Sequence, residues 1–428
     1  MKKETRHKFA YSVSGALVRP IVAKFNFHTT PYVHKEDWPY VVLANHNTDY
    51  DPLMIRETFS DQMYFVAAEN ILRMGILSKI LVRYFDPIFR IKGKREIRTT
   101  QEMLRRLRAG YNICLFPEGN RSFNGATGYI FPATAKVVKK SGAGLITYRL
   151  SGGYLSSPRW SRTLRKGKMT GEIVGIYSPE ELAQMSADEL HKIISRDLHE
   201  DAYERQEIDP VAYKGEKLAE GLESTLFTCP SCKSIGTLHT HDDIIECSCG
   251  YRARYDEYGY LVEDDSSRKT IRALDMWQFN LLRERINEIC LSKDGCMCGD
   301  TDKGACGDTD NGTSNGTGGD TDKGTSGDTE TLLFRDENIS LREIGADHSL
   351  VSEETGTLLG YCDRLVFEND GASYCFPFDI LSGISIFGNN KMVINYKDGE
   401  LKHYEMHGPY TYSALKYLYL YEIFKAIL

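Results

Sequence analysis

The sequence predicts an α/β domain with a mixed sheet and flanking helices, followed by a small cysteine-rich module and a C-terminal α+β domain. Three observations carry this expectation. Between residues 39 and 150 short apolar runs alternate with helix-patterned stretches, four cysteines crowd into residues 229–249, and the last hundred residues divide into strand-like runs ending in one helix. Strand, helix, strand in that rhythm argues for βαβ units. With 428 residues, 41% of them hydrophobic, the chain has material for two or three cores.

The segment 1–27 is expected to hold an amphipathic helix over residues 8–27. Phe9, Val13, Ala16, Leu17, Ile21 and Val22 recur near helical spacing, while Lys8, Arg19 and Lys24 carry charge. Such a helix can lie in a lipid interface or pack on its own domain. Within 28–210, "YVVLA", "NICLF" and "GLITYRL" read as strands, and "TTQEMLRRLRAG" as a helix capped by Thr99 or Thr100 and ended at Gly110. Two capping boxes, Ser178 with Glu181 and Ser186 with Glu189, predict helix to the end of the domain near residue 210.

Charge is unevenly spread: residues 1–200 carry 31 basic against 19 acidic side chains, and the remainder 22 against 41. A basic first half suits an anionic surface or a phosphate-bearing partner. The N-terminus lacks the uninterrupted apolar core and small-residue cleavage site of a secretory leader. No apolar run reaches the roughly 18 residues of a spanning helix, so a reducing, cytoplasmic setting is expected.

Cys229 and Cys232 are followed after 14 residues by Cys247 and Cys249. Two tight turns with two thiolates each can surround one tetrahedral ion, which predicts a structural zinc ribbon over 225–263, with His239 and His241 as alternative donors. The acidic "EDD" that follows is poor company for phosphates, and no nucleic acid is expected as a partner. A helix is expected within 264–292. Residues 293–330 repeat Gly-Asp-Thr-Asp without the apolar residue that would lock a calcium-binding solenoid, so they read as a disordered linker, and Cys296, Cys298 and Cys306 within it form no ligand pattern. In 331–428 the strands "GYCDRLVFE", "ASYCFPFD", "ISIFG", "KMVINYK" and "KHYEMH" and a final helix resemble a pleckstrin-homology-like domain.

The chemistry gathers at two places. In "ANHNTDYDP", Asn45, His46 and Asp51 stand beyond the end of a strand, where α/β proteins place ligands. A carboxylate that fixes an imidazole's tautomer frees the other ring nitrogen to take a proton from a hydroxyl, although the spacing alone fits a core histidine as well. In "CLFPEGNRSFNG", residues 114–125, Arg121 can grip a phosphate with Ser122 and local amides as further donors. Together "NHNTDYD" and "FPEGNRS" resemble the 1-acylglycerol-3-phosphate (lysophosphatidate) acyltransferase family over roughly residues 25–180.

That resemblance implies His46 as the base, Asp51 as its orienting carboxylate, and Glu118, Gly119, Arg121 and Ser122 as the phosphate site. Asn45 and Asn120, the latter standing where the family has threonine, complete the candidate substrate-binding set. Lys92 in "DPIFRIKGK" is the nearest match to the family's further glycerophosphate-binding arginine, and "GLITYRLSGG" lacks the proline of the family's last block. The implied reaction is acyl transfer from acyl-CoA or acyl-carrier protein to the sn-2 hydroxyl of lysophosphatidate, with the protein peripheral on the cytoplasmic face of an anionic membrane. Another lysophospholipid acceptor, or a non-catalytic scaffold binding lipid or nucleic acid, is the alternative.

Overall fold

The N-terminal segment forms one helix, α1 (Lys3–Ala23). It turns His7, Ala10, Tyr11, Ser14, Val18 and Val22 inward and leaves Phe9, Val13, Leu17 and Ile21 exposed. Apart from Val22, the large apolar residues of the expected interfacial helix therefore line its outer face. Arg56 fastens the inner face, its Nε donating to the Tyr11 carbonyl at 3.1 Å and to Ser14 Oγ at 3.1 Å. The computed structural model to which these elements belong describes residues 3–73, 75–90, 96–292, 331–345, 348–388, 390–398 and 400–427. Lys92 and the linker expected at 293–330, with its three cysteines, lie outside the described residues.

The first domain is built on seven strands: β1 (Phe27–Thr29), β2 (Tyr40–Ala44), β3 (Met63–Ala68), β4 (Ile88–Arg90), β5 (Asn112–Leu115), β6 (Gly144–Ser151) and β7 (Met169–Tyr177). Their order is β1-β7-β6-β2-β5-β3-β4, and the β6–β7 pairing is antiparallel while the others are parallel, so the sheet is mixed. All five side chains of β2 are buried, the signature of a central strand covered on both faces. Helices α2 (Asp51–Thr58), α3 (Ile76–Phe85), α4 (Glu96–Arg108), α5 (Ala133–Ser141), the one-turn α6 (Gly153–Ser156), α7 (Pro179–Gln184), α8 (Ala187–Asp197) and α9 (Ala202–Ile208) complete the domain. Both capping boxes form, giving two helices in succession. α4 departs from expectation: it begins before Thr99, whose hydroxyl donates to the Phe89 carbonyl at 2.9 Å and ties the helix to β4 instead of capping it.

Strands β8 (Leu238–His241), β9 (Ile244–Cys247), β10 (Arg252–Tyr255), β11 (Tyr260–Glu263) and β12 (Arg268–Thr270) form an antiparallel sheet around the cysteines. The module thus runs past residue 263, and α10 (Ile271–Ser292) starts only after β12. Its core is shared with the first domain: Tyr154, Leu155 and Trp160 pack in one cluster with Leu238, Ile245 and Leu261.

The C-terminal domain is α+β. Its strands are β13 (Phe334–Ile344), β14 (Leu350–Gly360), β15 (Arg364–Glu368), β16 (Ser373–Pro377), β17 (Leu381–Phe387), β18 (Lys391–Asp398) and β19 (Glu400–His407), in the antiparallel order β16-β15-β14-β13-β19-β18-β17. The last helix, α11 (Ala414–Ile427), lays Leu415, Leu418 and Ile423 into their core.

Candidate functional site

Because β2 and β5 are neighbours and parallel, their carboxyl ends lie side by side, which brings two motifs some 70 residues apart into one place. After β2 the chain leaves regular structure, and α2 begins at Asp51 with Pro52 in its first turn. This irregular stretch does what a helix could not, since residues five apart on a regular helix point about 140° from each other. His46 Nδ1 lies 2.8 Å from Asp51 Oδ2. A carboxylate only accepts, so Nδ1 carries the proton and Nε2 presents its lone pair. Nε2 has no hydrogen-bond partner among the described residues, and the ring, partly exposed, stacks on Phe116 at 4.4 Å.

Asp51 is fully buried, and its charge is balanced by donors rather than by a cation. Its Oδ2 accepts the Asn47 and Thr48 N–H groups at 2.6 and 2.9 Å, and Oδ1 accepts the Thr48 hydroxyl at 2.7 Å. Such a carboxylate is locked in place before substrate arrives.

The β5 motif is bonded directly to this loop. Glu118 Oε1 accepts the His46 N–H at 2.6 Å and Oε2 the Gly128 N–H at 2.6 Å. The Ser122 N–H returns a bond to the His46 carbonyl at 2.9 Å. Burial pushes the Glu118 carboxyl up to about 8, against the pull of those two amides. Three residues expected to touch substrate are therefore occupied within the protein. Glu118 holds the His46 backbone; Asn45 bonds both backbone groups of Leu150, at 2.7 and 2.8 Å; and Ser122 Oγ closes a turn with Ala126 and Gly125.

Gly119 and Asn120 stay at the surface of the turn, and the φ of +73° at Gly119 is a left-handed conformation that favours glycine. Arg121 reaches across the mouth: Nη1 meets Asp49 Oδ2 at 2.5 Å, Nη2 the Ser157 carbonyl at 3.2 Å and Nε the Asn47 carbonyl at 3.4 Å. Asp49 is 70% exposed, so an incoming phosphate can replace it on a guanidinium already in position. Sequence reasoning did not single out this pairing, nor Arg90, whose Nη1 lies 2.6 Å from where a Cβ on Gly119 would stand. Position two residues before Lys92 was the only sequence signal for Arg90, and which residue lies against Gly119 depends on the β3–β4 pairing.

Residues 24–151 match the family model described as Acyltransferase. This segment resembles an acyltransferase domain. Among solved structures the chain is similar to the 1-acyl-sn-glycerophosphate (LPA) acyltransferase PlsC from Thermotoga maritima, at 20% identity over 46% of this chain and 80% of that one, with a TM-score of 0.40. It is also similar to the Vps36 N-terminal PH domain, at 13% identity over 24% of this chain and 85% of that one, with a TM-score of 0.20. No curated protein matches the chain.

Beside the first domain, the sulfurs of Cys229, Cys232, Cys247 and Cys249 all lie within 4.8 Å of one another. Cys229 and Cys249 are 3.7 Å apart, and Cys232 and Cys247 3.9 Å. A tetrahedral zinc with Zn–S bonds of about 2.3 Å sets its sulfurs about 3.8 Å apart, so this donor set fits that ion. Lys233 and Gly250, each one residue past the second cysteine of a pair, take positive φ and fold the chain tightly around the sulfurs. His239 and His241 stand on β8 outside the four-sulfur cluster.

Proposed function

We propose that the protein transfers an acyl group from acyl-CoA or acyl-carrier protein to the sn-2 hydroxyl of lysophosphatidate, giving phosphatidate. The supporting observation is the hydrogen bond from His46 Nδ1 to a buried, fully satisfied Asp51, beside a guanidinium held over the same loop. His46 Nε2 accepts the proton of the hydroxyl as its oxygen attacks the thioester carbonyl. The tetrahedral intermediate then collapses, the C–S bond breaks, and the proton on His46 passes to the departing thiolate. Asp51 keeps the imidazole oriented and stabilises its cationic form. Arg121, with Gly119 and Asn120 beside it, receives the acceptor phosphate, while Asn45, Glu118 and Ser122 hold the loops. Lys92 is assigned to the acceptor by resemblance alone.

The direct test offers purified protein a panel of lysophospholipids with each thioester donor and identifies products by mass. Arg121→Ala is expected to raise the apparent KM for lysophosphatidate by about 10- to 100-fold with a smaller change in kcat. An unchanged KM would remove Arg121 from the acceptor site.

Such an acceptor resides in a bilayer, and we assign the membrane contact to the outer face of α1. α3, packed on α1, leaves Ile76, Leu77, Ile80 and Tyr84 exposed as well. Lys8, Arg19, Lys79 and Arg83 are also exposed and suit anionic headgroups. Phe25, just past α1, packs on Tyr50 at 4.9 Å, one residue before Asp51, which sets this surface beside the reacting groups. No described helix is long and apolar enough to cross a membrane. The double substitution Leu17→Asp, Ile80→Asp is expected to abolish sedimentation with phosphatidylglycerol vesicles and leave the fold intact. Undiminished sedimentation would move the contact elsewhere.

A further inference from the structure

The C-terminal domain touches the first domain at the end of the sheet where the reacting groups lie. Three of the ties between them bear on the site. His348, at the β13–β14 turn, places Nδ1 3.2 Å from Glu69 Oε1, just beyond the carboxyl end of β3. Asn124, three residues after Arg121, donates to Asp275 of α10 at 2.8 Å, and Asp275 in turn accepts the Tyr419 hydroxyl of α11 at 2.8 Å. Arg159 is the third and most connected.

Arg159 follows α6, is 5% exposed and sits over the Phe123 ring, 4.2 Å from its centre. Its Nε donates to the Gly388 carbonyl at 2.9 Å and Nη2 to the Ile386 carbonyl at 2.6 Å. Nη1 donates to the carbonyl of Arg121 itself, at 3.3 Å. β17 is the outermost strand of its sheet, so carbonyls on its free side have no neighbouring strand to pair with. A planar guanidinium meets the carbonyl of Ile386 in the strand and that of Gly388 just past its end, and has a donor left for the Arg121 loop. Burial and the Arg121 charge lower its pKa to about 9, so it remains a cation at neutral pH. With all three nitrogens on backbone carbonyls and, among the described residues, no exposed carboxylate partner for a phosphate to displace, Arg159 is not placed to take the acceptor phosphate.

We propose that the C-terminal domain is part of the acceptor site: through Arg159, the β17–β18 edge holds the backbone of Arg121, making Arg159 a positioning residue for acceptor phosphate binding. This rests on the acyl-transfer reading above. The domain then has a use that needs no ligand of its own. It braces, from outside the first domain, the turn that presents Arg121 to the acceptor phosphate.

The test uses the full chain with Arg159→Met and Arg159→Lys. Lysine keeps the charge but its single ammonium cannot span the three carbonyls, and it is the milder change should methionine prevent folding. Two readouts are taken: steady-state kinetics with lysophosphatidate at saturating donor, and amide hydrogen exchange at Ser122 and Gly125, whose N–H groups are bonded to the His46 carbonyl and to Ser122 Oγ. The expected result is an apparent KM raised about 10-fold, kcat changed less than about 3-fold, and faster exchange at both amides. Unchanged exchange overturns the proposal, and so does faster exchange with an unchanged KM, which would leave Arg159 a purely structural role. If the unaltered protein acylates no lysophospholipid, the acyl-transfer reading fails, and exchange alone decides whether the C-terminal edge holds the loop.

Discussion

Replacing His46 with alanine is expected to lower kcat by about 100- to 10,000-fold and to move the thermal midpoint by no more than about 2 °C. The first figure is the usual contribution of a positioned general base. The second follows from where the ring sits: it is partly exposed, its one hydrogen bond is to Asp51, and Asp51 keeps three other donors when the imidazole is gone. His46 also contributes its backbone N–H and carbonyl to the β5 motif, and alanine retains both. The experiment is therefore cleaner than Asp51→Asn, which would turn an amide NH2 toward groups that themselves donate and so disturb the loop together with the base. Turnover within 10-fold of the unaltered protein would show that another group takes the proton.

Much of this site was legible because its two motifs are local. His46 and Asp51 share one loop, Gly119 to Ser122 share another, and residue types at short spacing convey such chemistry well. What the sequence did not convey is direction. Asn45, Glu118 and Ser122 belong to the same motifs, yet their polar atoms turn inward to Leu150, His46, Gly128 and Ala126, and which way a side chain turns is decided by neighbouring strands distant in sequence. α1 teaches the same lesson in reverse. Its apolar spacing was plain, but whether that face met the domain or the solvent depended on Arg56, which holds the opposite face. β13 and β14 escaped notice because "FRDENISLREI" and "LVSEETGTLLG" are rich in charge, and only a few positions such as Ile339, Leu341 and Leu358 reach the core. Arg159 gave no sign, since an arginine in "SPRW" reads as a solvated charge until a strand more than 200 residues away arrives beside it.

Cys229→Ser, or prolonged chelation, is expected to lower the thermal midpoint by on the order of 10 °C and to abolish acyl transfer in parallel, while elemental analysis of the untreated protein returns one zinc per chain. The size of the effect comes from continuity of packing. The cysteine sheet is small, and five short strands bury too little apolar surface to hold their shape without a central ion. That sheet is nonetheless not a separate body, because Tyr154, Leu155 and Trp160 of the first domain lie in the same core as Cys229, Cys247 and Tyr255. Tyr154 stands in α6, where a Cβ on the preceding Gly153 would come within 2.9 Å of the Asn47 side chain. Loosening the sulfur cluster therefore frees α6, and α6 is what the His46 loop rests on. A catalytic thiol would behave differently: its loss would remove activity at an unchanged midpoint. Full activity in metal-free protein of undiminished stability would refute the zinc assignment and leave the four sulfurs as an ordinary set of reduced thiols.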